Sequence, residues 1–84
     1  SAASDVYKRQ VDVPYTGKND KSQKVKVYIK DKDNDGSTEK GSFDITSDQR
    51  IDIPLRIEKG KTASYIVKVD GKTVAEKEVS YDDV

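Results

Sequence analysis

The segment YIVKVDGKTVAEKEVSY, residues 65–81, decides the fold of this chain. Two runs that favour β structure flank Asp70-Gly71, and an Asp-Gly pair readily takes the two positive φ angles of a type I′ turn. Alternate residues of the first run, from Tyr65 to Val69, fall on one face of a strand. In the second run the apolar residues change phase, which predicts a β-bulge near residues 75–77. The segment therefore predicts a β-hairpin.

The same alternation of apolar and polar residues recurs in four runs upstream. They span residues 11–15, 24–30, 41–46 and 51–58. Pro14 and Pro54 lie in two of these runs, and proline marks a sheet edge because it cannot donate to a strand ladder. Together with the hairpin, these runs predict an all-β fold, a small antiparallel β-sandwich of about six strands.

Composition excludes several classes of function. The 84 residues include 16 basic and 16 acidic side chains, so the net charge is zero, and they include no cysteine and no histidine. The usual zinc ligands, the thiolate nucleophile and the imidazole base are therefore all missing. A nucleic-acid binder normally shows a basic excess. We expect one domain with no enzymatic activity and no nucleic-acid partner, whose membrane attachment belongs to a parent segment outside this chain.

Residues 1–10, SAASDVYKRQ, do not continue the pattern. Asp5 to Gln10 back-translates to GAT GTG TAT AAG AGA CAG, which reads like a transposon end used to prepare sequencing libraries. We therefore expect residues 1–10 to be a non-native, sequencing-adapter-like leader on a metagenomic gene, and residues 11–84 to be the domain. A native linker is the alternative. If the leader is an adapter, the gene was longer upstream.

Asp31, Asp33 and Asp35 precede Gly36 and match the opening of a calcium loop. Calcium prefers several oxygen ligands from alternating positions. The twelfth position is Ser42 rather than a bidentate glutamate, and the flanking runs are strands rather than helices. The pattern favours a solvated turn between strands, with calcium binding as the alternative. No other cofactor or metal is predicted.

Lys24, Lys26, Tyr28 and Lys30 form a basic stripe on the outward face of one predicted strand. Such a stripe can contact an anionic polymer or the carboxylates of cell-wall peptides. Lysine is also common on exposed strands, where it discourages aggregation with other chains. The balanced net charge favours this interpretation of the stripe over a binding role. These four residues are the candidate interaction surface.

Four stretches together resemble a known family. They are VPYTG at residues 13–17, KVKVYIKD at 24–31, FDIT at 43–46 and the hairpin at 65–81. In order and spacing they resemble the immunoglobulin-like domain that closes the extracellular part of PASTA-containing serine/threonine kinases in Gram-positive bacteria. The similarity covers residues 11–84.

The resemblance implies an immunoglobulin-like β-sandwich outside the cell. It implies a parent with a cytoplasmic kinase domain, one membrane span and PASTA modules that sense peptidoglycan fragments. This chain would then be a spacer, cap or interaction surface, with peptidoglycan, another wall polymer or neighbouring PASTA modules as partners. No kinase motif is present, so no catalytic residue carries over. The alternative function is a calcium-stabilised sandwich module of a bacterial surface adhesin or stalk protein.

Overall fold

Six antiparallel strands form two sheets in a computed structural model that describes residues 4–30 and 38–83. The strands are β1 (Ser4–Val13), β2 (Gln23–Lys30), β3 (Thr38–Ile45), β4 (Gln49–Glu58), β5 (Thr62–Val69) and β6 (Lys72–Ser80), followed by a short 3₁₀ helix at Tyr81–Asp83. β1 pairs with β4, and the second sheet has the order β3-β2-β5-β6. The predicted small all-β sandwich of about six strands is confirmed.

The hairpin that decided the fold joins β5 to β6. Asp70 has φ 50° and Gly71 has φ 84°, as a type I′ turn requires. The Asp70 backbone N–H also donates to the Lys24 carbonyl at 2.9 Å. The turn therefore closes one hairpin and at the same time ties it to β2.

A bulge interrupts each edge strand of the four-stranded sheet. Val67 lies opposite Ala75 but Lys68 lies opposite Thr73, so Val74 is the extra residue in β6. The bulge therefore lies one residue before the predicted position, residues 75–77. The apolar pattern did not locate it because Val74 is apolar but 36% exposed. In β3 the extra residue is Lys40. No apolar pattern runs through that part of β3 to reveal the second bulge.

Both sheets contribute to one core of buried apolar side chains. The core residues are Val11, Val13, Val25, Val27, Ile29, Ile45, Ile53, Leu55, Ile57, Ala63, Tyr65, Val67, Val69 and Val79. Among the side chains that the structure describes, none of the buried ones is polar or charged. Burying the odd-numbered residues of β2, β4 and β5 sends their even-numbered neighbours outward, as the alternation predicted.

β1 begins earlier than the predicted strand and ends before Pro14. Its ten residues pair in register with β4, from Ser4 opposite Glu58 to Val13 opposite Gln49. Strand pairing does not distinguish native from non-native residues, so the assignment of residues 1–10 to a leader stays a prediction. Within residues 4–30 and 38–83, no helix is long and apolar enough to cross a membrane.

Candidate interaction surface

The outer face of the four-stranded sheet carries the predicted basic stripe. Lys24, Lys26, Tyr28 and Lys30 all lie on β2, and Lys24 and Lys30 are exposed while the other two are half-buried. β5 runs beside β2 and places Lys68 directly opposite Lys26. The structure therefore brings the four predicted residues onto one face and adds a fifth. We call these five residues the lysine strip.

Lys68 packs on the aromatic ring of the strip. Its Nζ lies 5.6 Å from the centroid of the Tyr28 ring, within the range of a cation–π interaction. At a partly exposed site such a contact contributes about 0.5–1 kcal/mol. The contact places the Lys68 ammonium group over one face of the ring.

Lys26 has an acidic partner on the neighbouring edge strand. Its Nζ lies 3.6 Å from Oε1 of Glu39 on β3, and the two side chains are 44% and 45% exposed. A pair this open to solvent contributes little to stability because water and salt screen it. Lys26 is therefore free to exchange this carboxylate for another anion at small cost.

A shallow concavity of about 330 Å³ lies within the strip. Lys24, Lys26, Tyr28 and Lys68 line it together with the hairpin turn, whose Asp70 stands at one end. The Asp70 carboxylate accepts hydrogen bonds from the Lys24 backbone N–H at 3.1 Å and from Gln23 Nε2 at 3.0 Å. These bonds hold the turn rigidly against β2 and fix the shape of the concavity.

The arginines are confined to the two-stranded sheet. The chain has three arginines, Arg9, Arg50 and Arg56, and all of them lie on β1 or β4. Arg50 Nε donates to Asp12 Oδ1 at 2.9 Å, and this hydrogen bond raises the pKa of Arg50. The lysine strip, by contrast, offers compact ammonium groups without guanidinium forks.

A larger groove of about 620 Å³ lies between β3 and β4, but most of the side chains that line it are apolar. Its floor includes Val27, Ile29 and Ile53, which belong to the core. The strand edges beside it carry the bulge at Lys40 and the proline at Pro54, two features that discourage strand addition. We therefore place the candidate site on the lysine strip.

The predicted calcium ligands Asp31, Asp33 and Asp35 lie outside the described residues. Within residues 4–30 and 38–83, no three acidic side chains are grouped closely enough to hold a metal ion. The solvated turn, and calcium binding as its alternative, therefore both stay predictions about the connection between β2 and β3.

Sequence reasoning missed Lys68 as a member of the site. The alternation of β5 does show that Lys68 faces away from Val67 and Val69. What the sequence lacks is the neighbour relation of β2 and β5, which are separated by two other strands along the chain. Strand register was the missing information.

Comparison with known proteins gives two similarities. Residues 8–81 match the family described as serine/threonine protein kinase-like, C-terminal PASTA-like domain. The chain is also similar to the X-ray structure of the entire extracellular region of the Ser/Thr kinase PrkC from Staphylococcus aureus, with 92% identity and a TM-score of 0.86. That alignment covers 93% of this chain and 28% of the other, so this chain spans less than a third of that region.

Proposed function

The chain belongs to the family of C-terminal PASTA-like domains of serine/threonine protein kinase-like proteins, and from this we propose that it is the wall-facing module of a cell-wall-sensing receptor kinase. It is an extracellular, non-catalytic domain tethered to the cell through its parent protein. The resemblance to Gram-positive PASTA kinases drawn from the sequence is thereby confirmed.

We assign this module the role of spacer and contact surface close to peptidoglycan. The kinase domain, the membrane span and the PASTA modules of the parent are part of the proposal, because the chain covers only 28% of the similar extracellular region. The rigid two-sheet body supports the spacer role. The lysine strip supports the contact role.

The observation that carries the contact role is the position of the strip on β2 and β5. These are the two central strands of the larger sheet, so each is paired with a neighbouring strand on both sides. Each ammonium group contributes little alone in water. A wall polymer repeats its anionic groups, and several weak contacts to one polymer add up through high effective concentration.

An NMR titration of the ¹⁵N-labelled chain with muropeptides tests the proposal. We expect the backbone amide signals of Lys26 and Tyr28 to shift, and those of Lys59 in the β4–β5 turn to stay unchanged. Replacing Lys26→Gln together with Tyr28→Ala is expected to reduce the shifts, whereas Lys59→Gln is the matched surface control. Muropeptide additions that leave the β2 amides unmoved would contradict the contact role.

A further inference from the structure

The lysine strip places two lysines directly opposite each other, with the ammonium group of Lys26 beside Glu39 and that of Lys68 over the Tyr28 ring. Lys26 and Lys68 are direct cross-strand partners, and Lys24 stands on the same face two residues along β2. Like charges placed directly opposite on a sheet destabilise it. Four acidic residues of this face lie on the outer strands, Glu39 and Asp44 on β3 and Glu76 and Glu78 on β6. The fifth is Asp70 in the hairpin turn, whose carboxylate already accepts hydrogen bonds from Gln23 Nε2 and the Lys24 N–H. An anion seated between the central ammonium groups would remove the repulsion.

The side-chain chemistry selects the kind of anion. Arginine forms two-pronged hydrogen bonds with planar carboxylates and with phosphates, and the strip has no arginine, so recognition here depends on lysine alone. Lysine acts as a point charge and suits the phosphate group, whose oxygens accept from many directions. Stacking of a sugar ring on Tyr28 is also impeded, because Lys68 already covers one face of the aromatic ring. The strip therefore fits phosphate better than a peptide carboxylate or a neutral sugar.

The spacing of the cations indicates a repeating ligand. Residues on one face of a strand are about 7 Å apart, so Lys24 and Lys26 stand one such interval apart and Lys30 two intervals further on. Phosphate groups joined by a three-carbon polyol recur at a similar interval.

We propose that the lysine strip binds the phosphates of a phosphodiester-linked polyol polymer, with Lys24, Lys26 and Lys68 as the principal contacts. This inference rests on the proposed wall-facing function and names the chemistry of its partner. The polymer lies along β2. Its phosphates take the place of Glu39 as the partner of Lys26, and they reduce the repulsion between Lys26 and Lys68.

Titration of the labelled chain with a synthetic glycerol phosphate oligomer tests this binding. We expect amide shifts at Lys24, Lys26 and Lys68. If three phosphates are neutralised, the affinity falls roughly twentyfold as salt rises from about 50 to about 200 mM. A salt-independent affinity, or shifts elsewhere on the surface, would overturn the inference.

Two matched double variants distinguish binding at the lysine strip from nonspecific electrostatic attraction of the polymer to surface lysines. Lys26→Gln/Lys68→Gln and Lys59→Gln/Lys61→Gln each remove two positive charges, and Lys59 and Lys61 are exposed in the β4–β5 turn, at the opposite end of β5 from Lys68. The first variant is expected to weaken binding about tenfold and the second to change it much less. Equal losses in both variants would contradict the proposal. Dispersed NMR spectra establish that each variant is folded.

Three parallel ligands keep the two proposals distinguishable. If muropeptides bind and the glycerol phosphate oligomer does not, the phosphate inference is wrong and the contact role stands. If the oligomer binds and muropeptides do not, the inference stands and the peptidoglycan contact is wrong. A single-stranded DNA with the same number of phosphates is the third ligand, and its binding as tightly as the oligomer would overturn the preference for a polyol polymer.

Discussion

Tyr15 organises the connection between β1 and β2, residues 14–22. Its hydroxyl donates to the Lys21 carbonyl at 2.6 Å, and its backbone N–H donates to Asp48 Oδ1 at 2.7 Å. The ring lies so close to Gly17 that an added Cβ there would stand 2.5 Å from the Tyr15 hydroxyl oxygen. The glycine is therefore required by the close approach of the Tyr15 ring, whose hydroxyl is held by the Lys21 carbonyl while the backbone of the same residue is held by Asp48.

We expect Gly17→Ala to lower the free energy of unfolding by about 1–2 kcal/mol, because the new methyl group displaces the Tyr15 ring. Gly41→Ala is the matched control, since a Cβ at Gly41 meets nothing within 4 Å. Alanine is favoured over glycine in a strand by roughly 0.5–1 kcal/mol, so this control is expected to be neutral or stabilising. Urea unfolding of both variants measures the difference, and equal midpoints would show that Tyr15 is not held as described.

At the scale of elements, the features that depend on neighbouring residues were predicted better than those that depend on long-range strand pairing. The Asp70-Gly71 turn and the buried faces of β2, β4 and β5 follow from neighbouring residues alone, and the structure confirms them. The bulge at Lys40 and the opposition of Lys26 to Lys68 depend on which strands lie side by side. That arrangement is decided by the packing of the whole core, so a single sequence pattern does not contain it.

The candidate site was accordingly predicted in part. Lys24, Lys26, Tyr28 and Lys30 share a face because strand periodicity places them there. Lys68 and the turn residue Asp70 come from the far end of the chain and complete the concavity. A pattern confined to one strand identifies the cations of that strand but not the neighbours that shape a surface around them.

The connection between β2 and β3 has its own test. We expect thermal melts in calcium and in chelator to give the same midpoint, because Ser42 stands where a calcium loop needs a bidentate glutamate. Asp31→Asn/Asp33→Asn is the matched variant, and its midpoint is expected to be insensitive to calcium as well. A calcium-dependent rise that the variant abolishes would instead support the calcium-stabilised adhesin or stalk module.

At the scale of the whole molecule, few side chains are of a type that titrates near neutral pH. The chain has no histidine and no cysteine. Within residues 4–30 and 38–83, the groups with raised pKa values are Arg9, mainly through its hydrogen bond to Tyr7, and Arg50, mainly through its hydrogen bond to Asp12. A raised pKa in the folded state adds stability that is lost only as pH rises through that pKa. For arginine this lies far above neutral pH.

We therefore expect the melting temperature to stay nearly constant between about pH 6 and pH 8, where histidine would otherwise titrate. Differential scanning calorimetry at matched ionic strength measures it. Arg50→Gln serves as the control, and we expect its profile over this range to run parallel to that of the parent chain. A slope of several degrees across the interval would reveal a proton uptake that these contacts do not explain.

The interrupted strand edges have a consequence for crowding at the cell surface. The bulges at Lys40 and Val74 disturb both outer strands of the larger sheet, and Pro54 removes a donor from β4. Copies brought side by side thus gain little from joining their backbones at β3, β6 or β4. Backbone joining between copies is then left to β1, whose ten residues contain neither a bulge nor a proline.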